Sequence, residues 1–261
     1  MPMGPHAQEG YAVRFEWGST GATTVGVNGG VLVLVDVLSF TTTVAVAVQH
    51  GTAIYPAAWR DGRAAELATE VGAALAVGRR EVTPAHPWSL SPATLLSAPA
   101  PPRLVLPSPN GSTIAAAAGG GVVAACLRNV RAVARWLHQR PISAEAPVAV
   151  IGAGERWPDG SLRPALEDLI GAGAVIDALA ALGVRNTSPE AEAARAVFTS
   201  TVSIPETVRR CASGVELIGG GFGTDVEVAV QLDASDEVPV LMDGAFCAAA
   251  LTTRQPPAGT R

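Results

Sequence analysis

The chain has 261 residues, of which 48% are hydrophobic and 16% charged, and its formal net charge is −5. Such a balance excludes a disordered chain, because the apolar surface is ample to offset the entropy lost on folding. The acidic net charge, with no cluster of Lys and Arg, argues against a nucleic-acid partner.

Neither a secretory signal nor a membrane span is predicted. The first ten residues, MPMGPHAQEG, lack a basic segment followed by an apolar run. No apolar stretch reaches the roughly 20 residues of a membrane span without interruption. Three scattered cysteines without metal-type spacing are typical of a reducing compartment. We therefore expect a cytoplasmic protein with no membrane partner; a homodimer would suit the apolar composition, and the oligomeric state stays open.

The first half of the chain alternates short strands and helices. Residues 31–37, VLVLVDV, form a continuous apolar strand that carries one acid, and such continuity indicates a parallel strand covered on both faces. The elements predicted next are a helix over 41–50, a strand over 52–57, a helix over 61–71 and a strand over 74–77. Residues 78–102 contain six prolines and are predicted to form a long loop with one helical turn. Long ordered loops in compact domains are often functional.

The second half continues the same rhythm. The predicted elements are a strand over 103–106, a turn at PSPNGS followed by a helix, a strand over 122–125, a helix over 129–139, a strand over 148–151, helices over 164–182, 188–199, 204–211 and 225–232, and a last strand over 238–242. This pattern predicts a three-layer α/β/α fold with mostly parallel, buried strands. We expect one domain over 1–261; two similar lobes, 25–140 and 141–245, are the alternative.

Ligands of open α/β sheets bind beyond the carboxyl ends of the strands, where four segments of this sequence are of interest. Asp36 follows the first strand, and a buried carboxylate is costly unless it is paired or bound to a metal. Thr41, Thr42 and Thr43 open the next helix, whose free N–H groups could hold an anion. Alternatively, Asp36 caps that helix and the threonines pack. Asn110 and Gly111 also follow a strand, although PSPNGS makes an excellent turn and cap.

The other two segments come later in the chain. The loop Gly152–Arg156, GAGER, would let backbone N–H groups approach a phosphate, with an acid and an arginine beside it. Glu167 and Asp168 open the long helix; they could hold Mg²⁺, or simply favour the helix dipole. Gly171 and Gly173 in that helix indicate close packing on a neighbour. Cys126 is interpreted as a core residue.

Seven segments, VDVLSFTTT, PSPNGS, CLRN, GAGE, LEDLIGAGAVI, SGVEL and DVEVAVQLDAS, occur in an order that resembles the 2-phosphosulfolactate phosphatase family, from about Val31 to Leu241. The resemblance implies a three-layer α/β/α fold and a Mg²⁺-dependent phosphatase that converts 2-phospho-3-sulfolactate to 3-sulfolactate, a step toward coenzyme M. Matching positions include Gly214, Glu216 and Asp225.

The candidate site follows from the loops and the resemblance together. We expect Asp36, Glu155 and Asp168 to be catalytic and Asp36, Glu167 and Asp168 to bind Mg²⁺. Substrate binding is assigned to Thr42, Thr43, Arg80, Asn110, Gly111, Asn129 and Arg156.

The sequence also departs from the family pattern. Ser39 stands where that pattern has an arginine, Gly78–Val82 replaces a GERGG-like segment, and Leu90–Pro92 replaces Asn-Ser-Pro. Arginine is the natural reader of phosphate and sulfonate, and Arg79, Arg80 or Arg156 could substitute in space. Two alternatives therefore stay open: a phosphatase for a different small phosphate ester, and a non-catalytic anion-binding or regulatory protein.

Overall fold

A computed structural model describes residues 4–25, 29–58, 61–98, 101–118 and 121–249. Its strands are β1 (Val13–Trp17), β2 (Val31–Val35), β3 (Ala53–Ala57), β4 (Ala74–Leu75), β5 (Arg103–Pro107), β6 (Val122–Ala125), β7 (Val148–Gly152), β8 (Glu155–Arg156), β9 (Leu162–Arg163), β10 (Pro239–Met242) and β11 (Ala245–Ala248). Its α-helices are α1 (Gly18–Val25), α2 (Phe40–Gln49), α3 (Gly62–Glu70), α4 (Pro92–Ser97), α5 (Gly111–Ala117), α6 (Val130–His138), α7 (Leu166–Ala181), α8 (Pro189–Ser200), α9 (Ile204–Arg210), α10 (Ala212–Gly219) and α11 (Gly223–Ala229).

One large mixed sheet organises these elements, in the order β1-β7-β2-β6-β10-β11-β3-β5-β4. β1, β7, β2 and β6 are mutually parallel, as are β3, β5 and β4. Between the two groups lies the β10–β11 hairpin, and every pairing it makes is antiparallel. The predicted α/β fold with mostly parallel strands is therefore confirmed. The hairpin adds a reversal of direction between the two parallel groups.

The two groups of strands meet through the loops that follow β2 and β5. Three antiparallel pairings separate β6 from β3, so counting along the sheet would put their carboxyl ends at opposite edges. Each neighbouring pair, however, twists by roughly 20–25°, and the four steps from β2 to β3 accumulate on the order of 100°. The loops after β2 and β5 are in direct contact, as a hydrogen bond of 3.1 Å from the Gly111 N–H to the carboxylate of Asp36 shows.

The two faces of the sheet bury separate cores. Val33 and Val35 of β2 pack with the core that includes α6, α7 and α8. Leu32 and Leu34 face the opposite way, into a core formed with α2, α5 and β5. This alternation confirms that β2 is covered on both faces, as a continuous apolar strand predicts. Within the described ranges, no helix is both long and apolar enough to span a membrane.

Element boundaries differ from the prediction where side chains replace backbone hydrogen bonds. The first predicted strand, 31–37, ends at Val35, because the Asp36 N–H donates to the Thr41 hydroxyl and the Val37 N–H to the carboxylate of Asp168. The predicted helical turn in 78–102 is α4; residues 99 and 100 of that segment lie outside the described ranges. β1, α1, α10, β11 and the β8–β9 hairpin were not predicted.

Candidate active site

Asp36 lies at the turn between β2 and α2, where it joins two strand-end loops. One carboxylate oxygen accepts a hydrogen bond from the Phe40 N–H at the start of α2, over 2.9 Å, and the other accepts from the Gly111 N–H. The residue is 7% exposed. Burial raises the pKa of Asp36 to about 6, and the negative charge of Glu167 contributes to the rise. The hydrogen bonds from the two N–H groups act in the opposite direction and lower the pKa. Asp36 therefore caps the helix and also belongs to an acidic cluster.

Asp168 joins the loops that follow β2 and β7. From the first turn of α7 it accepts the Val37 N–H over 2.7 Å and the Gly154 N–H over 2.9 Å. Burial, followed by the charges of Asp36 and Glu167, raises the pKa of Asp168 well above its ordinary value. Without this carboxylate, the two loop N–H groups would need water or another acceptor.

Glu167, one residue earlier, is 2% exposed. The Cys211 thiol donates to Glu167 Oε2 over 3.1 Å. Burial and the charge of Glu167 raise the pKa of Cys211 to about 12, so this cysteine stays a neutral thiol that can donate to the carboxylate. Glu167 thus completes a buried acidic group with Asp36 and Asp168.

Glu155 is the most accessible member of the acidic cluster. It lies on β8, half-buried, and its Oε2 accepts a hydrogen bond from the Asn110 side-chain amide over 2.9 Å. Burial raises the pKa of Glu155 to about 7, the charges of Asp36 and Glu167 add to this, and Arg163 opposes it. An acid with a pKa near neutrality can both accept and donate a proton at physiological pH.

A cleft of about 180 Å³ opens over this cluster. It is lined by residues from five parts of the chain: Asp36, Leu38, Ser39, Arg79, Leu90, Ser108, Pro109, Asn110, Glu155, Ser213, Glu216 and Leu217. A second space of about 200 Å³ lies on the other side of Asn110 and Glu155, beside Trp17 and Arg156. Three of the four segments singled out in the sequence therefore contribute lining residues to the cleft. The fourth does not line it, but its Asp168 accepts hydrogen bonds from the loops that follow β2 and β7.

Arg79 supplies the cationic side of the cleft. Its Nε donates to Asp225 Oδ2 over 3.0 Å, and its Nη2 donates to the Ser39 hydroxyl over 2.6 Å and to the Leu90 carbonyl over 2.9 Å. Asp225, 2% exposed, also accepts hydrogen bonds from the Ser91 hydroxyl and the Ala93 N–H. The guanidinium is therefore held in one orientation, against Ser39.

Three predicted substrate-binding residues point their polar groups into the protein. The Thr42 hydroxyl donates to the Val37 carbonyl and the Thr43 hydroxyl to the Ser39 carbonyl. Asn129 accepts from the Cys126 N–H and donates to the Ala124 carbonyl. All three are fully buried. These contacts order the loops beneath the cleft, and a direct role in substrate binding stays a prediction.

The two predicted arginines lie outside the cleft itself. Arg80 is exposed and lines, together with Arg79, an adjoining space of about 380 Å³. Arg156 is exposed, donates to the Gly160 carbonyl and lines the second space. Asn110 and Gly111 follow β5, as the sequence predicts. The Asn110 side chain lines the cleft and donates to Glu155, and the Gly111 N–H donates to Asp36. Their role in substrate binding stays a prediction.

Sequence reasoning did not single out two cationic groups near the cluster. Arg79 entered only as one of three alternatives, because its neighbour Arg80 offers the same chemistry one residue away. Arg163, on β9, donates to the Ser213 hydroxyl over 3.1 Å and opposes the rise in the pKa of Glu155. Its position depends on the β8–β9 hairpin, and the loop sequence GERWPDGSLRP gave no strand signal.

The chemistry of the acidic cluster fits Mg²⁺. Its donors are carboxylate oxygens, which Mg²⁺ prefers, and Mg²⁺ commonly takes only one or two carboxylates together with waters and substrate phosphate. Within the described residues, no group of three or more His, Cys, Asp or Glu side chains is arranged to hold a metal ion by itself, so a bound Mg²⁺ would depend on waters and substrate for most of its ligands. Burial raises the pKa of Asp36, Glu155 and Asp168, and the charges of neighbouring carboxylates add to the rise; a divalent cation would offset that repulsion.

Comparison with known proteins gives a consistent result. The family model described as 2-phosphosulpholactate phosphatase matches residues 21–244. A protein of Methanothermobacter thermautotrophicus named 2-phosphosulfolactate phosphatase is 30% identical over 141 residues, which are 54% of this chain and 57% of that protein. A protein of Deinococcus radiodurans named probable 2-phosphosulfolactate phosphatase is 30% identical over 220 residues, 82% of this chain and 88% of its own.

Proposed function

Because the chain belongs to the 2-phosphosulpholactate phosphatase family, we propose that it is a Mg²⁺-dependent phosphatase that hydrolyses a small phosphorylated hydroxy acid. The names of its relatives point to 2-phospho-3-sulfolactate as the substrate, with 3-sulfolactate and phosphate as products. The observation that carries the proposal is the acidic cluster of Asp36, Glu155, Glu167 and Asp168, of which Asp36 and Glu155 line the same small cleft as the Arg79 guanidinium. A Mg²⁺-dependent phosphatase needs carboxylates for the cation and a positive group for its anionic substrate.

Glu155 is the group that would move the proton. Hydrolysis of a phosphate monoester adds a water oxygen to phosphorus, breaks the bond to the ester oxygen and leaves a proton for the departing alkoxide. Glu155, with a pKa of about 7 and one oxygen fixed by Asn110, faces the cleft and can carry that proton. Asp36, buried beneath it, supplies negative charge and orders the Gly111 N–H.

Mg²⁺, when bound to the acidic cluster, would neutralise phosphate charge and orient or activate a water. The protein's own part is to hold the carboxylates close together despite their repulsion. Backbone N–H groups of Phe40, Gly111, Val37 and Gly154 do this, since each donates to Asp36 or Asp168. Because these donors are fixed by the fold, the cluster is pre-formed before any cation arrives.

The test is release of inorganic phosphate from 2-phosphosulfolactate and from a panel of other phosphorylated hydroxy acids, with Mg²⁺ or with EDTA. We expect Mg²⁺-dependent release, and a loss of at least about 100-fold in Asp36→Asn, the scale of removing one electrostatic group from a catalytic site. Asp61→Asn is the matched control, because Asp61 caps α3 and pairs with the exposed Arg63, away from the cluster, and asparagine caps as well as aspartate.

The outcomes separate the three readings of the sequence. Release from 2-phosphosulfolactate supports the proposed substrate, whereas release only from another ester assigns a different substrate to the same site. Anion binding with no phosphate release would show a binding protein. Unchanged release by Asp36→Asn, with circular dichroism confirming its fold, would refute the assignment of the cluster.

A further inference from the structure

The two ends of the cleft differ in the groups that they offer. Asn110 and Glu155 are shared with the space beside Arg156, whereas Arg79, Leu90, Glu216 and Leu217 are shared with the space beside Arg80. The proposed substrate carries a carboxylate and a sulfonate besides its phosphate, and the phosphate is taken to lie at the end that holds the proton carrier and the proposed cation site. The sulfonate then needs a separate partner.

Arg79 has the hydrogen-bonding capacity for that partner. Three of its donors are used, by Asp225, Ser39 and Leu90, through Nε and Nη2. Among the described residues, none accepts a hydrogen bond from Nη1, and the side chain is 18% exposed where it lines both the cleft and the adjoining space. Two N–H groups of a fixed guanidinium therefore remain for a ligand.

The surroundings of Arg79 hold the guanidinium in place. Asp225 is buried and is itself fixed by Ser91 and Ala93, and the guanidinium lies 5.6 Å from the centre of the Phe222 ring. Glu216 lines the same cleft but is exposed, so solvent screens its charge. A pre-oriented arginine loses little entropy on binding a planar or tetrahedral anion.

We propose that Arg79, oriented by the positioning residue Asp225, is the subsite for the sulfonate of the substrate. This inference rests on the proposed function, since the phosphate is taken to lie at the acidic cluster. Arg79 thereby fixes which phosphate esters are accepted, and the carboxylates act on the ester bond that all of them share.

The test uses ligands that differ only in the sulfonate. Binding of 3-sulfolactate and of lactate is measured calorimetrically with Mg²⁺, and phosphate release from 2-phosphosulfolactate and 2-phospholactate is measured in parallel. We expect Arg79→Met to weaken 3-sulfolactate binding about 10- to 100-fold, the scale of a charged hydrogen bond, and to leave lactate binding nearly unchanged. KM for 2-phosphosulfolactate should rise by a similar factor, with kcat little affected.

Further variants separate positioning from folding. Arg185→Met removes an exposed arginine that, among the described residues, bonds to the carbonyls of Ala180 and Val184 at the C-terminal end of α7, and it should alter the binding of neither ligand. Asp225→Asn keeps an acceptor for Ser91 and Ala93 but turns a donor toward Arg79, so it should also reduce the preference for the sulfonate. In the Arg79→Met background it should reduce that preference no further, because Asp225 acts through Arg79. Arg79→Lys, with its thermal melt, covers the case in which the methionine variant fails to fold.

Each result decides the matter. A preference for the sulfonate that depends on Arg79 supports the subsite, whether or not phosphate is released. If that preference is found but no phosphate is released, only the proposed activity is refuted. Phosphate release with equal loss on both esters, or with no loss in Arg79→Met, overturns the subsite and leaves the activity standing. A wild-type protein that binds 3-sulfolactate no better than lactate also overturns it.

Discussion

At the level of single residues, the four acids of the cluster are not equivalent. Both oxygens of Asp36 and of Asp168 accept backbone N–H groups from neighbouring loops, so replacing either one also removes a structural bond. Among the described residues, only one oxygen of Glu155 has a hydrogen-bond partner, the side-chain amide of Asn110. The charge of Glu155 can therefore be removed with little structural cost. A substitution there measures the effect of the charge without the loss of a backbone hydrogen bond.

We predict that Glu155→Gln stabilises the metal-free protein at pH 8 but not at pH 4. The pKa of Glu155 is raised from 4.5 to about 7 by burial and by its acidic neighbours, so the folded protein holds this proton more tightly than the unfolded chain. Wild-type stability therefore falls as the pH rises from about 4.5 through 7. Glutamine avoids that loss, and we expect a gain of about 1–3 kcal/mol in the free energy of unfolding, measured by urea denaturation.

Glu66→Gln is the control for that measurement, because Glu66 is exposed on α3 and its loss should change stability by less than ~0.5 kcal/mol at either pH. A Glu155→Gln protein no more stable than wild type at pH 8 would contradict the repulsion within the cluster. Its phosphate release should be lost at the same time, since the variant cannot carry a proton at position 155.

At the level of secondary-structure elements, α7 carries two acids of the cluster and lies unusually close to the sheet. A Cβ at Gly171 would stand 2.7 Å from Val37 Cγ2 and 2.9 Å from Val35 Cγ1, and one at Gly173 would stand 2.2 Å from the Ala194 carbonyl oxygen. The two glycines therefore confirm the close packing predicted from the sequence. This approach is what brings Asp168 within hydrogen-bonding distance of the Val37 N–H.

We predict that Gly171→Ala destabilises the protein by about 1–3 kcal/mol, the usual result of overpacking a core, although alanine alone would favour a helix by about 1 kcal/mol. The added methyl group must push α7 away from β2, which also displaces Asp168 from Val37. Phosphate release should fall together with the melting temperature. Thermal unfolding and the phosphate assay measure the two effects.

Gly62→Ala provides the comparison, because Gly62 lies in the first turn of α3 and a Cβ there has no atom within 4 Å among the described residues. We expect that variant to be as stable as wild type or slightly more so. If Gly171→Ala were equally harmless, the close contact between α7 and β2 would not constrain the site.

Much of this element structure was predictable because local signals agree with the fold. The continuous apolar run predicted β2, and Asp61 and Gly72 predicted the start and end of α3. The segments at the strand ends pointed to Asp36, Asn110 and Asp168. β1 was missed because Arg14 interrupts its apolar pattern. That arginine is buried and donates to four backbone carbonyls, those of the nearby Tyr11, Ala7 and Val25 and that of the distant Ala144. The strand's own sequence does not indicate these partners.

The contribution of Arg79 lay beyond sequence reasoning for the same reason. Arg79 and Arg80 are adjacent and chemically identical, and only the position of Asp225, 146 residues later, decides which of them turns into the cleft. Likewise, Thr42 and Thr43 look like anion ligands at a helix start. Burial of α2 between the sheet and α4 turns both hydroxyls to backbone carbonyls instead.

At the level of the whole molecule, the site lies where two groups of parallel strands meet. Asp36, Glu155 and Asp168 come from the β1-β7-β2-β6 group and the helix that packs on it, whereas Asn110 and Gly111 follow β5 of the other group. The hairpin that joins the groups makes only one registered pair with β6 and one with β3. Contacts across the cleft therefore add to the cohesion between the two groups.

The acidic cluster lies on one side of that junction, and its carboxylates repel one another there. A cation bound there would convert the repulsion into attraction, so binding should stabilise the whole fold through mass action: at 100 times Kd the gain is about 2.7 kcal/mol. For a chain of this size, such a gain corresponds to a rise in melting temperature of roughly 5–10 °C. Protons compete for the same oxygens, so the pH must alter the effect.

We therefore predict that Mg²⁺ raises the melting temperature at pH 8 and raises it much less at pH 5, where Asp36 and Glu155, with pKa values of about 6 and 7, are largely protonated. The measurement is a thermal melt against Mg²⁺ concentration, with KCl at equal ionic strength as the control for screening. Glu155→Gln should weaken the response and Glu66→Gln should leave it intact. A rise of equal size at both pH values, or one that KCl reproduces, would show that Mg²⁺ does not act at the cluster.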